Sequence, residues 1–340
     1  MMLLVGTTFH NQPKSSTTSS CLWSVMIPTY NPKSDYLAET LRSVLAQDPG
    51  ESWMQIEVLD DCSPNGAPDE LVHQVAGNRV NLHRGETNLG MAGVWNHCIE
   101  RARGQWVHIL HQDDVVKPGF YEKLKAGMES PDAPGLVFCR QIFIDENGGQ
   151  TGRSDLESEM AGCLPDALPR LAQAQAIQTP SVMVRRDVYE AVGGFRSDLC
   201  FALDWEMWCR VARQFPVWYE PEALACYRVH AAAATSRLTL SGRDVEDVRK
   251  CIEIISGYVP EPRTRAKVRR QALRREAMFA VKNAEALVQA GHRNAAWRQL
   301  SGALHCDFSP RVLKNVLTLL PAAAGLMTKK GMQRQSPGNA

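Results

Sequence analysis

Gly104–Phe120 reads GQWVHILHQDDVVKPGF, and the fold turns on this stretch. Trp106, Val107, Ile109 and Leu110 make a short apolar run with β-branched and aromatic members, bounded by Gly104 and Pro118. Such a run predicts a buried strand. It ends abruptly in His111, Gln112, Asp113 and Asp114. Adjacent carboxylates at the mouth of a buried strand repel each other, and a hard divalent cation such as Mg²⁺ or Mn²⁺ neutralises them through oxygen ligands. In open α/β sheets, ligands bind outside the carboxyl ends of the strands. An Asp pair that caps the next helix or sits in a solvated loop gives the same local pattern. The flanking segments separate these readings.

Upstream, Trp23 to Ile27 predicts a first strand, halted by Pro28-Thr29-Tyr30-Asn31-Pro32. Ser34 is placed to cap a helix whose apolar residues Leu37, Leu41, Val44 and Leu45 recur at helical spacing. Gln55 to Leu59 predicts a second strand that runs into Asp60-Asp61-Cys62-Ser63. Pro68, Asp69 and Glu70 open a helix closed by Gly77. Val80 to His83 makes a third strand, and a helix through Trp95 and Ile99 stops at Gly104. This alternation predicts a doubly wound α/β fold, a mostly parallel sheet with helices on both faces. Two strands end in acidic pairs and a third ends in Tyr30, which predicts one site for a nucleotide with its metal.

Four segments, SVMIPTYN (24–31), EVLDDCSPNG (57–66), NLGMAGVWNHCIERARGQW (88–106) and ILHQDDVVKPGF (109–120), resemble in order and spacing the N-terminal half of the family 2 glycosyltransferases with the GT-A fold. TPSVMVRRDVYEAVGGF (179–195), LDWEMWCRVA (203–212) and YRVH (227–230) continue the match, so the resemblance covers roughly residues 22–235. It implies an inverting, metal-dependent, non-processive enzyme that moves a sugar from a nucleotide-diphosphate donor, a UDP-sugar first, to an acceptor hydroxyl in cell-surface glycan synthesis. The acceptor implied is a saccharide or lipid-linked saccharide.

Carried over residue by residue, the resemblance places Pro28, Tyr30 and Asp61 at the nucleobase and ribose, with Tyr30 stacking on uracil. Asn88, Gly90 and Asn96 would line the nucleotide, and Gln112 and Asp114 join this binding group. The family's Asp-x-Asp-Asp metal motif appears here as His111-Gln112-Asp113-Asp114. Asp113 is the expected Mn²⁺ or Mg²⁺ ligand, His111 and His230 are further candidates, and Arg228 would clamp the diphosphate. Asp204 is the expected catalytic base, with Glu206 second; Leu203 stands where the family usually has Glu. The departures at His111 and Leu203 keep open a catalytically silent binding or scaffold protein.

Composition is that of an ordinary soluble globular chain, 44% hydrophobic and 22% charged. The ten cysteines show no metal-ligand spacing and predict reduced thiols in a cytoplasmic protein. Residues 1–21 read as a flexible leader, and no apolar run predicts a membrane span. Residues 236–340 form a basic helical region with a flexible tail: Leu273, Ala277, Ala280, Ala284 and Leu287 set one helix, Trp297, Leu300 and Leu304 a second, and 311–320 a third. From residue 237 onward, 19 Lys and Arg face 8 Asp and Glu, and residues 263–275 carry seven basic residues and no acidic one. A solvated helix face and peripheral contact with an anionic membrane are both compatible with this run. Nucleic acid is the least favoured partner for this run, since no stacking aromatics are interleaved, and none is expected.

Overall fold

The computed structural model of the protein describes residues 21–325; the leader through residue 20 and the tail from 326 lie outside them. In chain order, β1 (Trp23–Thr29), α1 (Ser34–Leu45), β2 (Met54–Asp60), α2 (Asp69–Ala76), β3 (Asn81–Arg84), α3 (Gly90–Arg101) and β4 (Trp106–Ile109) alternate as expected. Strands β3, β2, β1 and β4 lie side by side and parallel, so all four carboxyl ends share one edge. Side chains alternate across the sheet. Val25, Ile27, Ile56 and Val58 face Leu37, Leu41 and Val44 of α1 and Val72 of α2. Met26, Leu59, Val107 and Ile109 face Val94, Trp95 and Cys98 of α3.

Two boundaries differ from expectation. Lys33 takes the N-cap position of α1 and Ser34 is already helical, so the serine hydroxyl makes no cap. Helix α3 stops at Arg101, before Gly104. Gly104 serves a close approach instead: a β-carbon there would lie 2.5 Å from the carbonyl carbon of Trp23. Only glycine lets the α3–β4 connection press so closely on β1.

The second half adds β5 (Val115–Val116), α4 (Phe120–Met128), β6 (Leu136–Ile144), β7 (Gln150–Arg153), β8 (Gly162–Cys163), α5 (Ala167–Leu171), β9 (Val182–Arg185), α6 (Arg186–Val192), α7 (Leu203–Ala212) and β10 (Val217–Arg228). Strand β9 is antiparallel to both β4 and β6, whereas β6 and β10 are parallel. The sheet is therefore parallel from β3 to β4 and mixed beyond β4.

Among the described residues five helices follow: α8 (Ala234–Ser241), α9 (Arg243–Tyr258), α10 (Pro262–Gln289), α11 (Arg293–Cys306) and α12 (Pro310–Ala323). Leu273, Ala277, Ala280 and Ala284 are buried along α10, where small side chains let α10 and α11 approach closely. On α11 the buried face is Ala296, Leu300 and Ala303, while Trp297 is 51% exposed, contrary to its expected place in the stripe. Packing is continuous across the division at 235/236, since one hydrophobic cluster joins Met26 and Trp208 to Ile252, Ala280 and Val316. Among the described residues no helix is long and apolar enough to cross a membrane.

Candidate active site

At the carboxyl edge the first turn is closed by its own carboxylates. Asp60 accepts from the Ser63 N–H (3.0 Å) and hydroxyl and pairs with Arg84 (3.3 Å). Asp61 accepts from the N–H groups of Leu89 (2.7 Å) and Gly90 (3.0 Å), which start α3. Burial pushes its carboxyl above the usual range, and the two N–H bonds pull it back. Asn88 donates to the Asp61 carbonyl (3.0 Å), and Gly90 sits at φ +70°, a conformation that strains other residues. Asn88 and Gly90 thus fasten Asp61 in place.

Gln112 bridges this edge to the acidic segment. Its Oε1 accepts from the Tyr30 N–H (2.8 Å) and its Nε2 donates to the Tyr30 carbonyl (3.4 Å). The Tyr30 ring stays 43% exposed above the edge. Pro28 is buried inside β1, past Met26 where the pairing with β4 ends, so its missing N–H leaves no β4 ladder bond unmade. Asn96 departs from its expected role. Its amide donates to the Phe195 carbonyl (3.0 Å) and accepts from the Phe195 N–H (2.7 Å), which ties α3 to the turn after α6.

The 111–114 segment gathers three potential ligands: atoms of His111, Asp113 and Asp114 lie within 4.8 Å of one another. His111 stacks on Trp95 (centroids 5.0 Å apart, 25° between planes), and its Nδ1 lies 3.2 Å from the Asp114 carboxylate. Burial opposes a charge on His111, but Asp114, Asp113 and Asp204 outweigh it and raise its pKa. Asp114 is pushed up to about 6 by burial and then by the charge of Asp113, against the pull of His111. His230 reaches in from the end of β10, with Nε2 2.7 Å from the Asp113 carboxylate. His111 Nε2 and His230 Nδ1 are buried ring nitrogens without a hydrogen-bond partner, and Asp114 Oδ2 has only His111 Nδ1 beside it. Unpartnered nitrogens beside two carboxylates fit a divalent cation.

Arg228 does not clamp a diphosphate. Its guanidinium is 1% exposed and donates to the carbonyls of Asp113 (2.8 Å) and Asp145 (3.3 Å) and to the Glu39 carboxylate (2.5 Å). Its N–H also donates to Asp114 (2.8 Å). The residue is a strut that fixes the acidic segment from beneath.

Asp204 lies in the first turn of α7, buried. Its carboxylate accepts from the Trp205 N–H (2.7 Å), the Gln175 amide (2.8 Å) and the Thr179 hydroxyl (3.4 Å). Burial pushes it up to about 6, and the Trp205 N–H, the charge of His111 and Gln175 hold it from rising further. The charges of His111 and Asp204 act on each other, so the base candidate lies within electrostatic reach of the acidic segment. Glu206, two residues on and about 200° round the helix, faces away. It pairs with Arg210 (2.8 Å) and accepts from the Tyr258 hydroxyl, so it holds α9 and is no second base.

Sequence reasoning missed Gln175, Thr179, Trp95 and Tyr227, the last of which feels the charges of Asp114, Asp113 and Asp204. Trp95 and Tyr227 stood inside quoted motifs; Gln175 carried no signal in the run AQAQAIQTP. Asp247 was missed as well. From α9 its carboxylate accepts from the N–H groups of Cys200 (3.0 Å), Phe201 (2.8 Å) and Ala202 (2.9 Å), the residues that lead into α7.

Residues 24–193 match the model of the family described as Glycosyl transferase family 2. The chain is 29% identical over 262 residues to an uncharacterized protein, MT1568, of Mycobacterium tuberculosis (strain CDC 1551 / Oshkosh), spanning 74% of this chain and 80% of that one. It is 33% identical over 178 residues to the putative teichuronic acid biosynthesis glycosyltransferase TuaG of Bacillus subtilis (strain 168), spanning 49% and 69%. Among solved structures, S. aureus TarS 1-349 in complex with UDP-GlcNAc superposes with a TM-score of 0.63 at 18% identity, covering 89% of this chain and 87% of that one. The mannosyltransferase PcManGT from Pyrobaculum calidifontis, in complex with GDP-Man and Mn²⁺, gives 0.55 at 18%, covering 92% and 82%.

Proposed function

Because the chain belongs to glycosyltransferase family 2, we propose that it transfers a sugar from a nucleotide-diphosphate donor, a UDP-sugar first, to an acceptor hydroxyl by a single inverting displacement. The observation that carries this reading is Asp204, a buried carboxylate with a pKa of about 6 in electrostatic reach of His111. Mostly ionised at pH 7, it is matched to taking a hydroxyl proton. As Asp204 accepts that proton, the acceptor oxygen attacks the anomeric carbon, and the bond to the diphosphate oxygen breaks with its electron pair. Gln175 and Thr179 hold the carboxylate oriented for this step. Asp113 and His111, with His230 and Asp114 beside them, would hold Mn²⁺ or Mg²⁺. A cation bound there supplies positive charge against the leaving diphosphate. Tyr30, exposed on the edge, offers its ring to the base, and Asp61 sits next to it.

The donors named with TarS and PcManGT and the polysaccharide named with TuaG support this reading. TuaG, named for a cell-surface polysaccharide, favours a saccharide acceptor. A thermal-shift panel of nucleotide sugars with and without Mn²⁺ identifies the donor: a ligand at 100 times its Kd adds about 2.7 kcal/mol. NMR of the first product then reads the anomeric configuration. A retained configuration, or donor binding unchanged by chelator, overturns the inverting or the metal part respectively.

A further inference from the structure

The seven basic side chains between Arg263 and Arg275 all lie exposed along α10. Arg269 is paired with Glu253 (2.6 Å), and Arg274 lies 3.9 Å from Asp307. Arg263, Lys267, Arg270 and Arg275 have no acidic side-chain partner among the described residues. Arg263, Lys267 and Arg270 step by four and three, which puts them in one stripe on the helix. Arg263 stands in its first turn, where the helix dipole disfavours a cation.

An apolar ridge begins where the stripe ends. Phe308, next to Asp307, is 72% exposed, and Leu313 and Leu317 of α12 are 39% and 60% exposed. The two leucines are one helical turn apart, while Val312, Val316 and Leu319 fill the core. Arg311 and Lys314 are exposed on the same helix. The α11–α12 turn meets α10 through Asp307 at Arg274, and α12 itself meets it through Asn315, whose amide lies 3.7 Å from the Met278 sulfur. Residues 262–325 hold 12 Lys and Arg against 3 Asp and Glu.

We propose that the outer surface of α10 and α12 docks the protein on an anionic lipid bilayer, with Arg263, Lys267 and Arg270 against the headgroups and Phe308, Leu313 and Leu317 entering the interface. Large apolar side chains set among cations are what an interfacial helix presents to such a surface. A second copy offering the same face would bring two strongly positive surfaces together, so charge argues against self-association. The proposal is independent of the transfer chemistry.

The test is co-sedimentation of the full chain with phosphatidylcholine vesicles and with vesicles that also carry phosphatidylglycerol. Binding to the anionic vesicles alone is expected, weakening as salt rises. Each cation near an anionic leaflet strengthens partitioning about fivefold. Arg263→Gln/Lys267→Gln/Arg270→Gln should therefore bind at least tenfold more weakly, roughly, and still turn over a soluble donor. Leu313→Ser/Leu317→Ser should lose the part of the binding that survives high salt. Equal sedimentation with both vesicle types, or none, overturns the proposal without any variant. So does a dimer in analytical ultracentrifugation that Leu317→Ser dissolves.

Discussion

Asp247→Ala tests whether α9 is part of the machinery that places Asp204. The Asp247 carboxylate is 8% exposed and accepts from three consecutive backbone N–H groups ahead of α7, at 2.8–3.0 Å. Ala202, at the N-cap of α7, has no side chain to do this, so the cap arrives from another helix. A hydrogen bond to a charged acceptor contributes about 1.5–3 kcal/mol; with partial recovery by water, alanine should cost about 3–5 kcal/mol in all. Asn keeps the oxygen shared by Phe201 and Ala202 but turns an NH₂ toward Cys200, so Asp247→Asn should cost about half as much. The activity loss should be separable. Tyr30, Asp61 and Asp113 stand on strand ends that α9 does not hold, so donor affinity by calorimetry should be unchanged. A misplacement of about 1 Å in the first turn of α7 costs on the order of 10²-fold in kcat. The assays are thermal denaturation, donor titration, and single-turnover transfer for both variants. If Asp247→Asn keeps wild-type rate and midpoint, the carboxylate does not position Asp204.

Asp204→Asn should lower kcat by about 10²–10⁴-fold with donor binding intact; retention of more than about a tenth of the rate would remove Asp204 as the base. In the wild type kcat should fall as pH drops through about 6, the pKa to which burial pushes Asp204, and a flat profile over that range would count against it. Burial, then the charge of Asp244, pushes Glu276 up from 4.5 to about 8. The folded state holds that proton more tightly than the unfolded chain, so stability should decline as pH rises from about 4.5 to 8. Glu276→Gln should flatten this decline and raise the thermal midpoint at pH 8. His111→Asp, which restores an all-carboxylate set, should shift preference from Mn²⁺ toward Mg²⁺ in donor-binding titrations.

The fold was legible because its causes are local. Alternating Val25, Ile27 and Ile56, Val58 against the helical spacing of Leu37, Leu41 and Val44 fixed the four-strand parallel half, and parallel strands put Tyr30, Asp61 and Asp113 on one edge. Residue types at that edge then predicted a nucleotide site with its metal, and the resemblance to family 2 glycosyltransferases implied the reaction. Asp204 was placed correctly at a helix start, since burial beside Trp205 and Trp208 follows from the apolar stripe.

Roles set by partners distant in the chain were not legible. Arg228 was expected to clamp the diphosphate because the resemblance sets it beside His230 at a strand end. Only folding brings Asp113, Asp145 and Glu39 around it and occupies its donors. Glu206 and Asp204 look equivalent two residues apart, until α9 supplies Tyr258 to one and the 175–179 segment supplies Gln175 and Thr179 to the other. Asp247 had no motif at all, and its three N–H partners lie 45 to 47 residues upstream. The sequence by itself determined the first four strands, their order of appearance and the residue types at their ends, because side-chain periodicity and turn chemistry act within a few residues. Which of those side chains remain free to act on a ligand, and which are consumed in holding the others, was decided by the tertiary structure, because a hydrogen-bond donor or acceptor is used up by whatever the fold sets beside it.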